Sequence, residues 1–216
     1  MPTVAVIDYG MGNLHSVSKA LEKADPARRV VVSADPEEIR SADHVVLPGV
    51  GAIRDCMAEI RRLGLEPVIH QVAEQGTPLL GVCVGMQAMM EYSAENDGTH
   101  CLGLLPGKVQ AFQTNMHDPL TNERLKIPHM GWNQVYPQVE HPLWQNIANG
   151  ARFYFVHSYY VEPAEPDLIA ASCNYGIPFT CAVAKGNVFA VQFHPEKSQH
   201  AGLQLYANFL NWNGSL

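Results

Sequence analysis

Apolar residues along this chain follow two rhythms. The short β-branched run at residues 3–9 reads as a buried strand, and the runs at 29–32, 44–47 and 78–82 as further strands, each ending near glycine, proline or a polar residue. Between them the apolar positions take helical spacing. Leu14, Val17, Ala20 and Leu21 share one side of a helix predicted over 14–23, and further helices are predicted over 53–63, 67–75 and 87–92. Strands alternating with helices indicate parallel βαβ units and a sheet covered on both faces. Right-handed crossovers then gather the turns after Tyr9, Leu47 and Val82 along one sheet edge, where ligands bind in open α/β sheets.

The middle of the chain breaks this rhythm. From residue 102 to 161 the helical period fades, and strand-like pieces at 108–112, 132–135 and 152–160 are separated by turns rich in proline and asparagine. That pattern predicts an antiparallel excursion. Short apolar runs return at 168–172, 180–185 and 188–192, with Lys185-Gly186-Asn187 as a hairpin turn. A terminal amphipathic helix over 199–212 carries Leu203, Tyr206, Phe209 and Leu210. No repeat or linker divides the 216 residues. The expected architecture is one α/β domain spanning 1–216, built on an open, mixed, mainly parallel sheet with helices on both faces.

Composition narrows the function classes. An apolar fraction of 47% and a charged fraction of 16% are those of a globular protein. Fourteen basic and twenty-one acidic residues give a net charge of −7 with no basic stripe, so nucleic acid is not an expected partner. The first ten residues lack a basic flank, and no apolar run approaches the roughly 20 residues of a membrane span. Five cysteines without a C-x-x-C pair point to a reducing, cytoplasmic setting. His194 and His200 have the wrong spacing for one helix face, so neither a metal nor another cofactor is expected.

The candidate chemistry lies in two short segments. Gly81-Val82-Cys83-Val84-Gly85 joins a strand to a helix as the thiol version of the G-x-S-x-G nucleophile elbow. A helix start also favours the reactive thiolate. Taken alone, Cys83 reads equally as a small buried hydrophobe. His194-Pro195-Glu196 follows another apolar run; in extended chain the two titratable side chains share a face, so Glu196 is expected to orient the His194 ring. Alone, that tripeptide is a polar strand end. Together the segments supply nucleophile, base and orienting carboxylate. Oxyanion donors are expected from the Val84 N–H and from Val50 or Gly51 in Pro48-Gly49-Val50-Gly51.

At this point the sequence resembles a known family. GVCVGMQ with FHPE is similar to the class I, triad-type glutamine amidotransferases, and IDYGMGN, LPGVGA, PHMGWN and YFVHSYY narrow the resemblance to the glutaminase subunits of imidazole glycerol phosphate synthase. Val82 and Val84 stand where bulkier aliphatics are common. The resemblance covers nearly the whole chain and implies flavodoxin-like layering. It implies that Cys83 attacks the side-chain amide of glutamine to give a glutamyl thioester, with His194 as acid and base and Glu196 orienting it. It further implies that Gln87, Gly51, His157, Ser158 and Tyr159 hold the substrate. Asn13, Trp132, Tyr154 and Lys197 would face a (β/α)₈-barrel cyclase partner, through which ammonia passes to form imidazole glycerol phosphate and AICAR in histidine biosynthesis.

Because such glutaminases are nearly silent until the partner binds its ligand, the Gly49–Val50 peptide is expected to turn toward or away from the oxyanion. Rival readings are an amidotransferase subunit for anthranilate, carbamoyl phosphate or pyridoxal phosphate synthesis, a non-catalytic protein with a reactive thiol, and a free-standing amidase.

Overall fold

A computed structural model describes residues 1–215. The N-terminal part alternates as read: β1 (Thr3–Ile7), α1 (Leu14–Ala24), β2 (Arg29–Ser33), α2 (Pro36–Arg40), β3 (His44–Leu47), α3 (Ile53–Arg62), α4 (Leu65–Glu74), β4 (Leu79–Val82) and α5 (Val84–Ala88). Strands β5 (Tyr92–Ser93), β6 (Thr99–His100), β7 (Gly107–Ala111), β8 (His129–Pro137), β9 (Ala151–His157), β10 (Tyr159–Pro163), β11 (Ile169–Tyr175), β12 (Ile177–Lys185) and β13 (Val188–Val191) follow, and α6 (Gln199–Asn211) ends the fold.

Hydrogen bonding orders the main sheet β2-β1-β3-β4-β13-β12-β10-β7-β5-β6, with β11 joining β12 to β8 and β8 pairing with β9. From β2 to β13 every pair is parallel. The hairpin β12–β13, turning through Gly186 and Asn187, starts the antiparallel part. The sheet is therefore mixed, and Cys83 follows β4 in its parallel half. These strands are short and buried on both faces, which is why β1, β3, β4 and β13 read as continuous apolar runs rather than alternating ones.

Helix faces match their periodicity. In α3 the buried residues are Ile53, Cys56, Met57 and Ile60, the i, i+3, i+4, i+7 stripe of a helix lying on a sheet. Helix α1 packs on α6, whereas α2, α4, α3 and α5 pack in succession as a second group. No described helix is long and apolar enough to cross a membrane.

Three readings needed correction. The helix after Cys83 stops at Ala88, and Tyr92, expected in that helix, opens β5. Glu91 and Met90 give way to a new strand because the Glu91 N–H pairs with the Gly107 carbonyl rather than continuing the helix. The run at 152–160 is two strands, β9 and β10, which leave Ser158 at the break and pair with different neighbours. Helix α4 starts at Leu65, two residues before the expected Pro67, which sits comfortably in the first helical turn.

Candidate active site

The cysteine sits where the sheet edge turns most sharply. Cys83 joins β4 to α5 at φ 55° and ψ −112°, a conformation that costs a non-glycine residue about 1–3 kcal/mol. Backbone bonds hold it there: its N–H donates to the Val191 carbonyl at 2.8 Å, and its carbonyl accepts from the Met86 N–H at 3.0 Å. A Cβ on Gly85 would run into the Leu47 carbonyl, and one on Gly81 would press on Met89 Sδ at 2.8 Å. The glycines of the motif thus allow close packing. The short α5 contributes less helix dipole than a long helix would, so the thiol depends more on its immediate neighbours.

His194 leaves β13 in extended conformation, and Pro195–Lys197 then form a 3₁₀ turn. The His194–Glu196 pairing therefore comes from a turn, not from extended alternation as the tripeptide suggested. His194 Nδ1 lies 2.8 Å from Glu196 Oε1, and both side chains are almost fully buried. The carboxylate accepts the Nδ1 proton and so leaves Nε2 as the nitrogen that exchanges protons. The turn is stitched to β9: the Ser198 hydroxyl donates to the His194 carbonyl at 2.6 Å and accepts from the Tyr154 N–H at 2.9 Å. Gly202 in α6 lies so close that a Cβ there would clash with the Pro195 carbonyl. Nε2 has no hydrogen-bond partner, so its tie to Cys83 is proximity rather than a formed bond. Burial opposes a charged ring, but Cys83 and Glu196 outweigh it and raise the His194 pKa.

The loop Pro48-Gly49-Val50-Gly51, expected to supply oxyanion donors, turns a carbonyl toward the elbow. The Val84 N–H, the first expected donor, is taken by the Gly49 carbonyl at 3.4 Å. On either side of that peptide the carbonyls are clasped. The buried Tyr9 hydroxyl donates to Pro48 O at 2.6 Å, and the Cys56 thiol donates to Val50 O at 3.4 Å. Burial raises the Tyr9 phenol well above its usual range and pushes the Cys56 thiol up to about 11, so both remain protonated donors. The Gly49–Val50 peptide therefore lies between two hydrogen-bonded carbonyls.

A cavity of about 300 Å³ gathers these parts. Val50, Gly51, Cys83, Val84, Gln87, His157, Ser158, Tyr159, His194 and Lys197, all singled out in the sequence, line it together with Glu95, which was not. Glu95 also accepts from the Ile53 N–H at the start of α3, at 3.1 Å. Nothing in its polar surroundings marks it in sequence; only the fold brings it to the cavity. Gln87 Nε2 donates to Tyr159 O and Gln192 Oε1, so what Gln87 can offer a ligand is its carbonyl oxygen.

His157 is more committed than expected. Its Nδ1 donates to Tyr159 O at 2.8 Å, which makes Nε2 an acceptor for the Nδ1–H of His129 at 2.9 Å. His129 Nε2 in turn accepts from Asn133 at 3.2 Å. Neither ring nitrogen of His157 is free for a ligand. Burial lowers the pKa of His129 to about 4 and that of His157 to about 3, so both rings are neutral near pH 7.

Three of the four expected partner-facing residues form one cluster. Trp132 is 44% exposed and meets the Tyr154 ring edge-on at 6.0 Å, while Lys197 Nζ lies 5.8 Å from the centre of the same ring. Asn13 stands apart at the start of α1, half-buried and making no side-chain cap. Among the described residues no His, Cys, Asp and Glu group has the makings of a metal site.

Comparison with known proteins agrees with this geometry. Residues 5–212 match the class-I glutamine amidotransferase family. The chain is 60% identical over 214 residues to imidazole glycerol phosphate synthase subunit HisH 1 of Pseudomonas aeruginosa, covering 99% of each. It is 58% identical over 211 residues to the HisH subunit of Thiobacillus denitrificans, covering 97% of this chain and 91% of the relative. In fold it is similar to PurLQS from Thermotoga maritima, with a TM-score of 0.72 at 18% identity over 97% of this chain and 98% of that one. The chain belongs to the class-I glutamine amidotransferases and, within them, to the HisH subunits of imidazole glycerol phosphate synthase.

Proposed function

We propose that Cys83, His194 and Glu196 are the catalytic triad of this glutamine amidotransferase, which hydrolyses glutamine in histidine biosynthesis. The observation that carries the assignment is the buried 2.8 Å His194–Glu196 bond, aimed into the same cavity that holds the strained Cys83. His194 Nε2 takes the thiol proton as Sγ attacks the side-chain amide carbon. It then returns that proton to the departing nitrogen, releasing ammonia and leaving a glutamyl thioester. A water then gives its proton to His194 Nε2 and attacks the thioester carbonyl, and as the C–S bond breaks the ring returns that proton to sulfur, releasing glutamate and the thiol.

The oxyanion of both tetrahedral intermediates needs two donors. Turning the Gly49–Val50 peptide withdraws the Gly49 carbonyl from Val84 N–H and presents the Val50 N–H beside it. Gly51, one peptide further on, lines the cavity and leaves room for the substrate. The Gln87 carbonyl oxygen and the Glu95 carboxylate are acceptors suited to the α-ammonium group, and Ser158 and Tyr159 line the same cavity. The whole chain, 1–216, acts as one glutaminase domain in this reading.

The chain is a subunit of a synthase, and we assign its partner as the (β/α)₈-barrel cyclase, docked over Trp132, Tyr154 and Lys197, with Asn13 at the periphery. Lys197 reaches both the cavity and this cluster, so docking there is felt at the site. Ammonia would leave toward that face, because in water it protonates and loses its nucleophilic lone pair.

The test is glutamine hydrolysis by the chain alone, with the cyclase subunit, and with the subunit plus its phosphoribosyl ligand. Strong stimulation in the third condition is expected. Full activity in the first would make the chain a free-standing amidase. Absence of hydrolysis in all three, with Cys83 still alkylated, would make it a reactive-thiol binding protein.

A further inference from the structure

One group beside the nucleophile takes no part in the steps above. Gln192, between β13 and His194, is fully buried, and its amide Nε2 lies 3.7 Å from Cys83 Sγ. Its orientation follows from its neighbours. The Tyr159 carbonyl can only accept, so the Gln87 side chain must turn its NH₂ group toward it, at 3.3 Å. The second N–H of that group then donates to Gln192 Oε1 at 3.1 Å. With its oxygen engaged, Gln192 has only its NH₂ to aim at the sulfur. A chain of two amides, fixed at one end by a backbone carbonyl, thus ends in a donor on the nucleophile.

The sulfur has a second neighbour of opposite preference. The Val156 carbonyl, 4.0 Å from Sγ, can only accept a proton and so suits the neutral thiol. An N–H donor suits the thiolate, and hydrogen bonds to a charged partner are the stronger kind. Resting on the assignment of Cys83 as nucleophile, we propose that Gln192 is a further catalytic residue, donating to Sγ and biasing Cys83 toward the thiolate. Its side-chain amide stays intact; it moves no proton and forms no bond to carbon.

The experiment follows carbamidomethylation of Cys83 by iodoacetamide across pH, on the full chain, with peptide mapping to separate it from the four other cysteines. In this reaction the thiolate displaces iodide, so the rate reports thiolate fraction and nucleophilicity. Gln192→Met, which removes the donor, should react about tenfold more slowly at pH 7. Near pH 10 it should equal or exceed the parent, because a less stabilised thiolate is the better nucleophile. Gln192→Glu, which keeps the shape but places an acceptor near the sulfur, should be slower still at pH 7. Equal rates at pH 7 in both variants would overturn the proposal, as would slowing by one constant factor at every pH, the mark of mere packing. Glutamine hydrolysis by the parent with its cyclase subunit is read in parallel. Its absence would sink the triad assignment, whereas its presence with unchanged alkylation would sink only the role of Gln192.

Discussion

The elbow around Cys83 and the loop around Gly49 meet across one cavity, yet they are built on opposite terms. The elbow is strained and locked: its backbone bonds run to β13 and into α5, and close-packed glycines leave it one conformation. The loop is clasped at its edges, by Tyr9 on Pro48 O and Cys56 on Val50 O, and the peptide between them accepts through Gly49 O from the Val84 N–H, the donor proposed for the oxyanion. On the proposed assignment, nucleophile and base are presented together while one oxyanion donor is held by the Gly49 carbonyl. An enzyme arranged this way can capture glutamine at any time and still delay its hydrolysis.

The comparison can be broken at several points. Cys83→Ala, with the cyclase subunit and its ligand present, should lower glutamine turnover by at least about 10⁴-fold. Residual turnover near the parent value would mean another nucleophile. Gly49→Val should lower stimulated turnover by about 10²–10³ while leaving Cys83 alkylation intact. A Cβ at Gly49 would lie 2.6 Å from the Tyr9 hydroxyl and 2.8 Å from the Gly85 nitrogen, so the loop must shift and the turning peptide loses its room. If stimulation survives unchanged, the loop is not the switch.

Tyr9→Phe sharpens the same contrast. It removes one clasp while keeping the ring, so the turned peptide is less well placed and stimulated kcat should fall about tenfold, with KM for glutamine unchanged. A rise in KM instead would place Tyr9 with substrate binding.

The smallest effect is on stability in acid. His129 and His141 have folded pKa values near 4, and His157 near 3, all depressed below the ordinary 6.5 by burial. Their folded pKa lies below the unfolded one, so the stability they contribute is present above pH 6.5. It is lost as pH falls from 6.5 toward 4. Urea midpoints measured between pH 7 and 4.5 should decline accordingly. His141→Asn, remote from the cavity and able to keep the cap on Leu143, should flatten that decline. An unaltered slope would show that His141 takes up a proton without unfolding.

The sequence was informative wherever local chemistry decides structure. β-branched runs disclosed the central strands because burial on both faces leaves no polar positions to confuse the pattern. Helix α2 escaped notice, since Ile39 is its only buried residue and no period can form, although Asp35-Pro36 carried a cap and first-turn signal. The boundary between β9 and β10 was invisible because Ser158 is not a turn residue that announces itself. At the site, Cys83 and His194 were legible from their motifs, whereas Glu95 and Gln192 were not. Each acquires its place through pairings made far along the chain, with Ile53 and with Cys83. The state of the Gly49 peptide is a matter of one rotation, which no residue pattern encodes.

The position of β13 has a consequence for synthesis. Although it is the last strand made, it lies in the middle of the sheet, between β4 and β12. While the ribosome is still short of residue 188, β4 is an open edge and Cys83 lacks the Val191 carbonyl that fixes its turn. The nascent chain thus carries its thiol for about half of translation before the strand that positions it, and the histidine proposed to activate it, exist. The final stretch thus closes the sheet and, on the proposed triad, brings His194 to Cys83 in the same step.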